Sequence, residues 1–117
     1  MNILLVVNDA PYQTERAYNA LRLATSFATD SETTVRLFLI GDGAWCGVSN
    51  QTPPSDCQYN VEWLIQRLLP GGREILVCRT CMDARGITEE HLIRGVQRGS
   101  LDDLNRWTRE SERVLVY

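Results

Sequence analysis

Residues 2–8 form a continuous apolar run centred on Ile3-Leu4-Leu5-Val6-Val7 and closed by Asn8-Asp9. An unbroken run, without alternation, predicts a strand buried on both faces, as in a parallel sheet. After the polar turn Asp9-Ala10-Pro11-Tyr12, the apolar period changes. Ala17, Leu21, Ala24 and Ala28, widened by Ala20 and Phe27, recur at the 3.6-residue spacing of a helix over 14–28. Thr34 to Ile40 is β-branched and aromatic and ends at Gly41-Asp42-Gly43, which predicts a second strand. Asn60 is a suitable cap for a helix carrying Val61, Leu64, Ile65, Leu68 and Leu69, stopped by Pro70-Gly71-Gly72. Glu74 to Cys78 reads as a third strand.

The last third is less regular. Thr88-Glu89-Glu90 is the expected start of a short helix bearing Leu92, Ile93 and Val96, and residues 95–98 are a candidate extended piece. Ser100 with Asp103 has the spacing of a capping box, ahead of Leu101, Leu104 and Trp107 on one helix face. Arg113 to Tyr117 closes the chain as a strand. Strand and helix alternate, which predicts one α/β domain over 1–117: a mainly parallel sheet of about five strands with helices on both faces. Residues 42–58 stand apart, rich in Gly, Pro and Ser and without period. Long irregular segments in compact domains are uncommon and often functional. Trp45 there either tucks onto the core or helps cover a site or another subunit.

Composition narrows the chemistry. The 117 residues hold 12 basic and 15 acidic side chains, a net charge of −3, which argues against nucleic acid as a partner. Every basic residue is arginine, so Schiff-base chemistry and a nucleotide P-loop, both of which need lysine, are excluded. No apolar run reaches the ~20 residues of a membrane span, and no signal-peptide pattern opens the sequence, so a cytoplasmic location with reduced thiols is expected. The cysteines Cys46, Cys57, Cys78 and Cys81 then need a role other than a disulfide framework.

In a parallel sheet, functional groups gather beyond the carboxyl ends of the strands. The loops after the three strands are 9–12, 41–43 and 78–86, and the last carries the pair Cys78-x-x-Cys81. Zinc would need four ligands in recognisable pairs, and Cys46, Cys57 and His91 do not supply them, so no metal and no cofactor is expected. A thioredoxin-like redox pair would open a long helix, which Gly86 disfavours. Cys78 as a merely buried strand end also remains open. Arg79 and Arg85 favour a thiolate, the nucleophilic form. Asp9, Tyr12 and Asp83 are candidates to line a thiol pocket, Asp9 also suiting a capping or orienting role, and His91 reads as a helical histidine rather than a base.

At this stretch the sequence resembles the DsrE/DsrF-like family, closest to its YchN-type branch. The resemblance rests on Asn8-Asp9-Ala10-Pro11-Tyr12, Arg36-Leu37-Phe38-Leu39, the motif Cys78-x-x-Cys81-x-Asp83-x-Arg85-Gly86-Ile87, and Gly95-Val96, Trp107-Thr108 and Val114-Leu115. It implies a parallel-stranded α/β fold and a homohexamer built as a trimer of dimers. In the family's sulfur-relay branch, a cysteine at the third strand's end carries sulfur as a persulfide between donor and acceptor proteins; Cys78 matches it, and Arg85-Gly86 match the residues that follow. Cys81 is typical of the YchN-type branch and is expected to resolve the persulfide by forming a disulfide. The expected function is a sulfurtransferase-like persulfide carrier. The alternatives are a non-catalytic oligomeric module with structural or redox-sensing cysteines, and a dithiol reductase.

Overall fold

The apolar run at the start of the chain becomes the middle of a five-stranded sheet. The computed structural model describes residues 1–117. Strands β1 (Asn2–Val7), β2 (Thr34–Leu39), β3 (Glu74–Cys78), β4 (Gln97–Gly99) and β5 (Arg113–Val116) lie in the order β4-β3-β2-β1-β5. Every pairing is parallel. Helices α1 (Arg16–Phe27), α2 (Val61–Leu68), α3 (Arg79–Ala84) and α4 (Leu101–Glu110) connect them, with one turn of 3-10 helix at Glu89–His91 and a longer one over Gly41–Gly47.

Because side chains alternate along each strand, the sheet builds two cores. Ile3, Leu5 and Val7, with Val35, Leu37, Leu39, Ile75 and Val77, face α1 and α2 and form a cluster of 22 buried residues. Leu4, Val6, Phe38 and Leu76 face the other way and form a second cluster with only one buried helical residue, Trp107 of α4. The Trp107 ring meets Phe38 edge-on at 6.3 Å and carries the Arg36 guanidinium over its face at 5.3 Å. Arg36 in turn pairs with Glu74 and Glu110, tying β2, β3 and α4 together. The helical stripes fall where the period put them: Ala17, Ala20, Leu21 and Ala24 in α1, and Val61, Ile65 and Leu68 in α2, are buried. Asn60 caps α2 through Trp63 N–H, and Ser100 and Asp103 form the capping box of α4.

Two expectations fail. The helix expected from Thr88 is a single 3-10 turn; Leu92 reaches the core from extended backbone, and Ile93 and Val96 do so from either side of the turn at Arg94-Gly95. The reason is a tertiary ladder: Ile93 N–H donates to the Gly47 carbonyl at 2.8 Å, Ser49 N–H donates to the His91 carbonyl at 2.8 Å, and Leu92 bridges Val48. His91 closes the turn by accepting from Thr88 N–H on Nδ1 at 3.1 Å, so it acts as a cap. The segment 42–58 is likewise not loop throughout. Residues Gly41–Gly47 form 3-10 helix, with Gly43, Ala44, Cys46 and Gly47 buried. Three residues per turn and a stripe of small side chains leave no apolar period to read. Trp45 on this turn is 40% exposed, so it is not tucked onto the core.

That turn sits close on β1. A Cβ on Gly43 would lie 2.0 Å from the Val7 carbonyl oxygen, so only glycine permits the approach. Gly41 reverses the chain with φ +59, a left-handed conformation that glycine adopts without steric cost. The C-terminal end of β2 is thereby folded back across the edge where β3 ends.

Candidate functional site

Cys78 is the last residue of β3 and the N-cap of α3 at once. The chain turns from strand to helix on this residue, so its thiol meets the free N–H groups of the first helical turn. Cys78 Sγ accepts from Cys81 N–H at 3.4 Å and lies 3.3 Å from the Thr80 hydroxyl. Gly86 disfavours a long helix opening on the pair, and α3 accordingly is only six residues long, ending at Ala84.

Cys81 lies one turn on and faces the other way, against the larger core. Its sulfur accepts from Gly41 N–H at 3.1 Å, so the glycine turn after β2 reaches across to the pair. Arg85 fastens the same junction. Its Nη1 donates to the Cys81 carbonyl at 3.1 Å, and its Nε and Nη2 donate to Asp42 at 3.2 and 2.9 Å. Two of the three loops expected to converge, 41–43 and 78–86, therefore meet directly.

The electrostatics separate the two thiols. Burial disfavours the charged form of Cys78, but hydrogen bonds from the Cys81 thiol, the Thr80 hydroxyl and the N–H groups of Cys81 and Thr80 outweigh it. Cys78 therefore titrates below its ordinary value of 9.0. Cys81 is pushed up by burial and by its neighbour Cys78, against smaller opposing contributions from Gly41 N–H and Arg85. The pair loses its first proton from Cys78. The cationic help expected from Arg85 acts on Cys81 instead, since its guanidinium is held by Asp42 and the Cys81 carbonyl. Arg79 is exposed at the first position of α3.

The remaining candidates have other partners. The Asp9 carboxylate accepts from Thr14 Oγ1 at 2.5 Å and from Arg16 at 3.3 Å, orienting the start of α1. Its titration is lowered chiefly by the Thr14 hydrogen bond. Tyr12 has φ +71; its hydroxyl donates to Gln51 and accepts from Val61 N–H, and its ring stacks on Tyr59 at 5.6 Å. The loop after β1 thus braces the segment over α2. Asp83 pairs with Arg98 at 3.3 Å, linking α3 to β4.

All four cysteines are free thiols. Cys46 donates to the Asp9 carbonyl at 3.3 Å, and burial pushes its thiol up to about 12, so it stays protonated and inert. Cys57 donates to the Tyr59 carbonyl at 3.2 Å. Spacing alone does not reveal Thr80 and Gly41 as contacts of the pair, nor Asp42 as the partner of Arg85. The Gly-Asp-Gly sequence ending β2 was the available signal for the last two.

No helix is long and apolar enough to cross a membrane. The chain is 36% identical to protein YchN of Escherichia coli over 116 residues, covering 98% of this chain and 97% of that one. The crystal structure of E. coli YchN superimposes with a TM-score of 0.92, covering 100% of this chain and 99% of that one at 35% identity. An uncharacterised protein of Methanopyrus kandleri is 38% identical over 115 residues, covering 98% and 93%. A TusC homolog of Aliivibrio fischeri is 29% identical over 113 residues, covering 96% and 95%. The sequence model of the DsrE/DsrF-like family matches residues 1–117, end to end with the sheet and the cysteine turn just described, and the chain belongs to that family.

Proposed function

We propose that this protein carries sulfane sulfur as a persulfide on Cys78, between a donor and an acceptor protein. The observation that supports this most is a partly exposed thiol at the carboxyl edge of the sheet whose anion is favoured by local hydrogen bonds, in a chain with a TusC homolog among its relatives. In loading, the Cys78 thiolate attacks the outer sulfur of a donor persulfide R–S–S–H. A new Sγ–S bond forms, the donor's S–S bond breaks, and R–S⁻ departs; no electrons are gained or lost overall. Such exchange follows thiolate fraction and access. The test is mass spectrometry after incubation with a persulfide donor. Trypsin cuts after Arg73, Arg79 and Arg85, so Cys78 and Cys81 fall in separate peptides. The peptide 74–79 is expected to gain one sulfur atom, and a chain in which no cysteine peptide gains mass is not a carrier.

The working form is proposed to be a cytoplasmic homohexamer, a trimer of dimers, with residues 42–58 at a subunit boundary near Cys78. Trp45, Trp63, Leu101 and Val116 are all exposed, at 40%, 51%, 73% and 67%, which is much large apolar surface for so small a chain. Closed symmetric assemblies bury such patches. Light scattering at micromolar concentration is expected to give about six times the 13.3 kDa chain mass; a species that stays at the chain mass would refute the assembly.

A further inference from the structure

The helical threonines of this protein do not all behave alike. Thr25 and Thr108 turn their hydroxyls back to the carbonyl four residues earlier, at 2.8 and 2.7 Å, as threonine in a helix commonly does. Thr80, second residue of α3, is exposed, and its hydroxyl lies 3.3 Å from Cys78 Sγ. A thiolate has no proton to give, so whenever Cys78 is charged the hydroxyl is the donor.

We infer that Thr80 is a catalytic hydrogen-bond donor to the Cys78 sulfur, stabilising it as the leaving group when sulfur is handed on. The inference rests on the persulfide reading above and concerns its second half. In the loaded form the inner sulfur is divalent and neutral, and the negative charge sits on the outer atom, so the hydroxyl and Cys81 N–H have little to stabilise. An acceptor thiolate R–S⁻ then attacks the outer sulfur. A new S–S bond forms between the acceptor sulfur and the outer sulfur, the Sγ–S bond breaks, and its electron pair remains on Cys78 Sγ as the thiolate that Thr80 and Cys81 N–H receive. A thiol of lower pKa is the better leaving group in such exchange. The same donors make the empty carrier the favoured state, which suits a protein that must release what it holds.

The test is the rate of Cys78 alkylation by iodoacetamide against pH, read on the peptide 74–79 of sulfur-free protein, for the wild type, Thr80→Val and Thr80→Ser. Thr80→Val keeps the shape and removes the donor. It is expected to move the inflection upward by about one unit, which lowers the thiolate fraction about tenfold at any pH well below both inflections. The stronger nucleophilicity of a more basic thiolate offsets part of that, leaving the rate about threefold lower. Above both inflections the order reverses and the valine variant reacts faster, a crossing that a merely structural perturbation would not produce. Thr80→Ser is expected to restore the wild-type curve. A valine variant that superimposes on the wild type, or a serine variant that does not rescue, would overturn the role of Thr80. Because the protein in this experiment carries no sulfur, failure to load leaves the curves standing, whereas an unchanged curve in a protein that loads normally removes Thr80 alone.

Discussion

Replacing Cys78 with serine is expected to abolish persulfide loading while leaving the fold unchanged. The loss should be complete, because a serine hydroxyl stays protonated at neutral pH and forms no persulfide. The fold should survive because Cys78 is the N-cap of α3, accepting from Cys81 N–H, and serine is among the preferred residues at that position. An unfolding midpoint equal to or slightly above that of the wild type, together with no added sulfur on any cysteine peptide, is the expected pair of results. Loading that survives in Cys78→Ser and disappears in Cys81→Ser would reverse the two roles. Loading that survives in both would remove the carrier function from this pair. The raised titration of Cys81 works against its expected part as resolving nucleophile, since attack on a persulfide also requires a thiolate.

Trp107→Ala is expected to cost about 3–5 kcal/mol, the range for removing a fully buried large aromatic. Measured against a typical total of ~5–15 kcal/mol, that is a large part of the stability. The second core explains why the site cannot adjust: Trp107 is the only buried residue that α4 contributes to it, set among Leu4, Val6, Phe38 and Leu76. Ile40, Cys78 and Leu104 pack against this cluster only from partly buried positions. The indole N–H is buried without a partner, which is a cost the wild type bears and Trp107→Phe removes. The phenylalanine variant should therefore lose clearly less than the alanine variant in urea unfolding. Equal losses in the two, or an alanine variant within 1 kcal/mol (about fivefold in the folding equilibrium) of the wild type, would contradict this account of the second core.

How far the fold could be read from the chain depends on how strong the local pattern was. β1, β2, β3, α1, α2 and α4 follow from unbroken apolar runs, 3.6-residue stripes and the caps Asn60 and Ser100, all of which act over a few residues. Residues 41–47 resist reading because a 3-10 turn of small side chains has no apolar period, and residues 88–93 because their backbone pairs with Gly47, Val48 and Ser49, a distant partner that nothing local signals. The site divides in the same way. The Cys78–Cys81 pair was visible as spacing. That Arg85 serves Asp42 and the Cys81 carbonyl rather than Cys78 depends on the turn at Gly41, which brings a second loop to the first. Tyr12 and Asp9 were placed at the correct edge of the sheet, but the hydrogen bonds that engage them lead to α1 and to Gln51.

The strand order has a cost during folding. β1, the most apolar strand of the sheet, takes β2 on one side and β5 on the other. Contacts β1–β2 join residues about one crossover apart, but Ile3 to Val6 meet Arg113 to Val116 across nearly the entire sequence. Long-range parallel pairing is entropically demanding and forms slowly. Until it forms, one side of Ile3-Leu4-Leu5-Val6-Val7 is an unpaired edge, a template for another chain. β5, with three of its four residues exposed, thus does as a cover what it scarcely does as a core element: it keeps the stickiest segment of the protein from aggregating with its copies.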